Sequence, residues 1–93
     1  MESFKQRHKR AVNRAIYLLE RPAAGYRVIP LNHHIFHIEA IREKEIRKIR
    51  IVLDQIVPED VSMVREFRFP DVVTKEIWCK GFKSQQFDTK EVS

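Results

Sequence analysis

The sequence predicts an α/β (α+β) sandwich in the order α-β-β-β-α-β-β, with a central mixed sheet and a helix on its face. Three observations predict it. Apolar residues recur at helical spacing over residues 4–19, FHIEAIREKEIRKIRIV (36–52) alternates as two strands about a charged tip, and PEDVSMVREF (58–67) returns to helical spacing before two further strand-like runs. With 93 residues, 43% of them apolar, the chain can build one core but not two, so a single domain over 1–93 is expected.

The first helix carries Phe4, Ala11, Val12, Ala15, Ile16 and Leu19 on one side and Lys5, Lys9, Arg10, Asn13 and Arg14 on the other. Pro22 should stop it near Glu20–Arg21, and Gly25 offers the turn. YRVIPL (26–31) reads as a short strand that Pro30 places at an edge or strand end, with NHH (32–34) as the connection. If Glu43 and Lys44 form the tip of the next hairpin, Arg42 faces Glu45, Ile41 faces Ile46, Glu39 faces Lys48, Ile38 faces Ile49, His37 faces Arg50 and Phe36 faces Ile51. Opposite charges then meet twice and apolar residues three times, as cross-strand pairs require. Phe36, Ile38, Ile49, Ile51 and Leu53 fall on the core face; His37, Glu39, Lys48 and Arg50 fall on the other. Pro58 and two acids open the second helix, and KEIWCKGF (75–82) with QQFDTKEV (85–92) forms a last hairpin around Gly81–Ser84.

Eighteen Lys and Arg against 13 Asp and Glu give a net charge of +5, which favours a polyanionic partner such as nucleic acid, DNA or RNA, or an anionic membrane surface. Six of these cations lie in the first 21 residues, against two acids. The lone Cys79 excludes an internal disulfide and reads as a packed small residue. The chain opens without an apolar leader and has no run long enough for a membrane span, so the expected location is cytoplasmic, with no membrane partner.

The element order, with a hairpin at its centre, resembles the minimal core of the PD-(D/E)XK nuclease superfamily, the restriction-endonuclease-like fold that includes archaeal Holliday-junction resolvases. GYRVIP matches the family's Gly-aromatic strand start, FHIEAI (36–41) the strand that begins Phe-Asp, and IRIV (49–52) the strand that ends Ile-Glu-Val-Lys. Carried over residue by residue, the aspartate position is His37, the glutamate position Arg50 and the lysine position Val52. Two adjacent carboxylates would hold Mg²⁺ and activate water; an imidazole and a guanidinium cannot, although arginine grips phosphate directly. The resemblance therefore implies a nuclease fold without its catalytic residues, metal or cofactor.

Glu39 reads as a cross-strand partner of Lys48 before it reads as a relocated metal ligand, and Glu20 is a weak match to an accessory acid. His33, His34 and His37 form HHxxH, which is not a specific zinc spacing. Tyr26 and Trp78 offer stacking surfaces, but most of the nine aromatics must build the core. The binding candidates are His37, Lys48 and Arg50 on the former active face, with Lys9, Arg10 and Arg14 on the helix. The expected function is a small nucleic-acid-binding or regulatory module. The alternatives are a structural or interaction protein working as a homodimer, and a metal-dependent nuclease using Glu39 with Glu20 or Asp54.

Overall fold

The structure is a computed structural model and describes residues 2–93. Helix α1 (Phe4–Glu20) begins in a capping box: the Gln6 N–H donates to Ser3 Oγ at 3.2 Å and the Ser3 N–H to Gln6 Oε1 at 3.0 Å. Two of the helix's orphan donors are satisfied in this way. Arg21, before Pro22, is extended at φ −58°, ψ 145° and ends the helix. Gly25 then turns the chain at φ +76°; a Cβ there would meet nothing nearer than 3.8 Å, so the backbone angle, and not space, requires glycine.

Five strands follow the predicted order: β1 (Arg27–Pro30), β2 (Ile38–Arg42), β3 (Glu45–Leu53), then helix α2 (Pro58–Glu66), β4 (Thr74–Lys80) and β5 (Phe87–Val92). They form one sheet in sequence order. Among the described residues only β3 and β4 pair in parallel, and α2 is their crossover. Pro30 ends an edge strand, where its missing N–H costs no ladder bond.

Both faces of the sheet are covered. On one, Ala11, Ala15 and Leu19 of α1 lie on Ile38, Ala40, Ile49, Ile51 and Trp78. Small side chains along this seam bring the helix close to the strands. On the other, Val64 of α2 packs with Ile35, Phe36, Val52, Ile77, Cys79 and Val92, and Phe67 and Phe69 flank them. A crossover between parallel strands must run over a face, which is why a second covered face accompanies the first. Each fully buried Ile or Phe here contributes roughly 1.5–3 kcal/mol. Burial, followed by the charges of Asp88, Asp54 and Asp60, pushes the Cys79 thiol pKa up, consistent with a packing role.

The α1 face also carries a polar cluster. The buried Glu76 takes Arg47 in a two-point ion pair, Nε to Oε2 at 2.6 Å and Nη2 to Oε1 at 2.5 Å, and accepts the Trp78 indole N–H at 3.0 Å. The Tyr26 ring centroid is 4.3 Å from the Arg42 guanidinium and 5.0 Å from that of Arg47, and its hydroxyl donates to Glu45 at 2.9 Å. That bond, with Arg42 beside it, holds Glu45 below the usual carboxylate range. Tyr26 and Trp78 are buried core residues.

In the central hairpin, four of the expected pairs form: Arg42 with Glu45, Ile41 with Ile46, Glu39 with Lys48 and Ile38 with Ile49. The tip is Glu43–Lys44, and Glu43 takes φ +53°. Such a conformation strains a residue with a Cβ. Glu43→Gly is expected to raise stability by up to about 1 kcal/mol, read as a higher urea midpoint at unchanged slope. A lower midpoint would show that the glutamate side chain itself supports the tip.

The last two expected pairs, His37 with Arg50 and Phe36 with Ile51, do not form. The His37 N–H donates to the Ile49 carbonyl at 2.9 Å, so His37 and Ile38 both face Ile49, the arrangement of a β-bulge. One extra residue reverses the alternation beyond it. Phe36 consequently leaves the face of Ile38, Ile49 and Ile51 and joins the α2 core.

Candidate functional site

Past the bulge, the Ile51 backbone lies beyond the last β2–β3 pair. Two imidazoles take the place of the missing strand: the Ile51 N–H donates to His37 Nδ1 at 2.8 Å, and His8 Nε2 donates to the Ile51 carbonyl at 2.8 Å. The two rings meet edge to face, 4.4 Å between centroids. These bonds set both tautomers, with the His37 proton on Nε2 and the His8 proton also on Nε2. Burial, then His8, and only then Arg50, lower the His37 pKa to about 4. His8, absent from the sequence-based candidates, lies between Phe4 and Ala11 at helical spacing, and a polar residue on an apolar stripe must find a partner.

His8 and His37 line a cleft of about 710 Å³ with Lys5, His34, Arg50 and Asp60. Arg50 does not face it freely, because its Nε donates to Asp60 at 3.0 Å and its Nη1 to the Ile35 carbonyl at 2.9 Å. The other oxygen of Asp60 accepts the Val57 N–H at the start of α2, at 3.1 Å. Arg50 thereby ties β3 to the loop before β2 and to α2. Lys48 pairs with Glu39 and lies 4.9 Å from the Phe69 ring, as the cross-strand reading expected of Glu39. Val52, at the lysine position of the resemblance, is buried.

The remaining metal candidates are dispersed. His33 Nδ1 accepts the N–H groups of Ile35 and Phe36 at 3.0 and 3.2 Å, and its ring stacks on His34. Burial and the neighbouring His34 lower the His33 pKa. Asp54 pairs with Arg7 at 2.9 Å, Glu39 with Lys48, and Glu20 is exposed at the end of α1. Among the described residues no group of three His, Cys, Asp or Glu side chains is placed to hold a metal ion.

A second cleft, of about 570 Å³, opens between α1 and the turn joining β4 to β5. Arg7, Arg10 and Arg14 line it from the helix, Lys80 from the end of β4 and Lys83 from the turn. Arg7 pairs with Asp54 and Arg10 with Glu2. Arg14, Lys80 and Lys83 pair with no carboxylate among the described residues, and the buried Arg14 Nε–H has no acceptor. Of the six candidate residues, the fold thus brings Arg10 and Arg14 to this cleft and His37 and Arg50 to the other, while Lys9 and Lys48 line neither. Sequence spacing could not join Lys80 and Lys83 to the helix, since only the sheet order brings a turn near residue 82 against residues 7–14.

What the fold and the two clefts define is a three-layer α+β domain, a mixed sheet between two helices with a basic cleft at one border. No helix among the described residues is long and apolar enough to cross a membrane. Comparison with family models, curated proteins and solved structures gave no match.

Proposed function

We propose that this chain is a catalytically degenerate protein of the nuclease fold that acts as a small nucleic-acid-binding or regulatory module. The mixed sheet with a hairpin at its centre supports the resemblance to the PD-(D/E)XK core. His37, Arg50 and Val52 stand where that motif has Asp, Glu and Lys; here His37 and Arg50 serve the backbone and Asp60, and Val52 the core. The observation that carries the binding reading is the cleft lined by five cations, three of them without an acidic partner. Such a site binds phosphates through charge, without reading sequence.

Anisotropy of a labelled DNA duplex and a four-way junction tests it, first in EDTA and then in Mg²⁺ with the products run on a gel. Binding without cleavage is expected. Three free cations predict a log K against log salt slope of about −2.7, so affinity falls about fortyfold between ~50 and ~200 mM salt. Arg14→Gln should reduce that slope by about one. Cleavage only with Mg²⁺ would restore the relocated-carboxylate nuclease, and binding of neither probe would leave the homodimeric interaction protein.

A further inference from the structure

The basic cleft has a feature that charge alone does not require. Phe82, at the tip of the β4–β5 turn and on the cleft's rim, is 69% exposed. Its ring centroid lies 5.2 Å from the Arg7 guanidinium and 5.7 Å from Lys83 Nζ. The turn that carries it is held in place: the Ser84 N–H donates to the Gly81 carbonyl at 3.2 Å, the Ser84 hydroxyl donates to the Gln86 carbonyl at 3.1 Å, and the Gln86 N–H donates to Ser84 Oγ at 3.2 Å. Lys83 occupies φ +68°, a conformation in which glycine is usual, so the turn presents a charged side chain at some cost in strain. An exposed aromatic ring in a concavity that also holds cations without an acidic partner has the chemistry of a stacking platform with phosphate grips.

The size of the cleft selects the form of the ligand. About 570 Å³ is in the range that receives a small molecule or a nucleotide, whereas a duplex, with its bases stacked inside and its phosphates outside, meets it only with outer phosphates. A paired base cannot reach Phe82 without leaving its stack, and an unpaired base can. We propose that the cleft between α1 and the β4–β5 turn binds single-stranded nucleic acid, a base stacking on Phe82 and the adjoining phosphates held by Arg14, Lys80 and Lys83. This inference rests on the nucleic-acid-binding reading above and adds the strand form and the residue that selects it.

Anisotropy titrations of the full chain with labelled oligo(dT), oligo(rU) and a duplex of equal length test it, at ~50 mM salt. The variants are Phe82→Ala and Lys83→Gly, both exposed turn positions, each checked for a melting temperature no lower than the parent's. The single strands are expected to bind more tightly than the duplex, and Phe82→Ala to weaken them by about fivefold or more while leaving the duplex unchanged. Lys83→Gly, which relaxes the turn and removes one cation, should weaken all three probes and lower the salt slope by about one. A preference for oligo(rU) over oligo(dT) would support the proposal and add recognition of the ribose hydroxyl. Equal binding of single strands and duplex with a silent Phe82→Ala would overturn this inference and leave the general reading standing. Failure of all three probes to bind, or Phe82-dependent binding to anionic vesicles alone, would overturn both.

Discussion

Glu76→Ala is expected to lower the stability of this domain by about 3 kcal/mol or more, the largest loss of any single substitution considered. Glu76 is 6% exposed and serves three donors, two from Arg47 and one from the Trp78 indole. The hydrogen bonds that Arg47 donates to Glu76 raise the Arg47 pKa above its already high value, so the guanidinium stays charged in the folded state. Removal of the carboxylate leaves a half-buried cation and a buried N–H without their acceptor, and each orphaned group costs its desolvation. A small domain with ~5–15 kcal/mol to lose would stand near its unfolding transition. Urea denaturation reads the effect as a fall in midpoint. Glu76→Gln keeps an acceptor for Trp78 and should cost less; the pair Arg47→Met with Glu76→Leu, which removes both charges, should also cost less than Glu76→Ala alone. A loss under about 1 kcal/mol in Glu76→Ala would mean that Glu45 or water takes over Arg47.

The second large effect is acid sensitivity from His37. Its pKa is lowered from 6.5 to about 4 in the folded chain, so the unfolded chain binds the proton at higher pH. The neutral ring's contribution is complete above about pH 6.5 and is lost as the pH falls towards 4. Protonation would also break the Ile51 N–H bond to Nδ1. Because the ring keeps partial contact with solvent, about 1 kcal/mol of destabilisation is expected between pH 7 and pH 5, a fall of roughly 5 °C in Tm. His37→Asn, whose amide oxygen can accept the Ile51 N–H without titrating, should flatten most of this slope. The His33 pKa, also lowered by burial and by His34, acts in the same direction. Thermal melts at pH 5, 6 and 7 check it; a His37→Asn protein as acid-sensitive as the parent would assign the slope elsewhere.

How far the sequence reaches differs from residue to residue. Ser3 and Gln6 cap a helix with local chemistry, and Pro22 ends it with local chemistry. The hairpin register from Arg42–Glu45 to Ile38–Ile49 follows from neighbours in one turn, because charge and hydrophobicity must match across it. Alternation cannot announce a bulge, and so the expected facing of His37 with Arg50 ends one residue past Ile38. His8 is 29 positions before His37 in the chain, and only the seating of α1 on β3 brings the rings together. Arg47 and Glu76 come from strands joined through the α2 crossover, and nothing in either segment names the other.

The sequence by itself determined the order of the elements, the Glu39–Lys48 pair and the excess of positive charge. These depend on composition or on residues within one turn of chain. Only the tertiary structure decided that both sheet faces are covered, that Arg50 belongs to Asp60, that two histidines finish the ladder at Ile51, and that Arg14, Lys80 and Lys83 line one cleft with Phe82. Each of those joins groups far apart in sequence. Their meeting is set by how α1, the bulge and the parallel crossover pack around one sheet, and no local pattern encodes that packing.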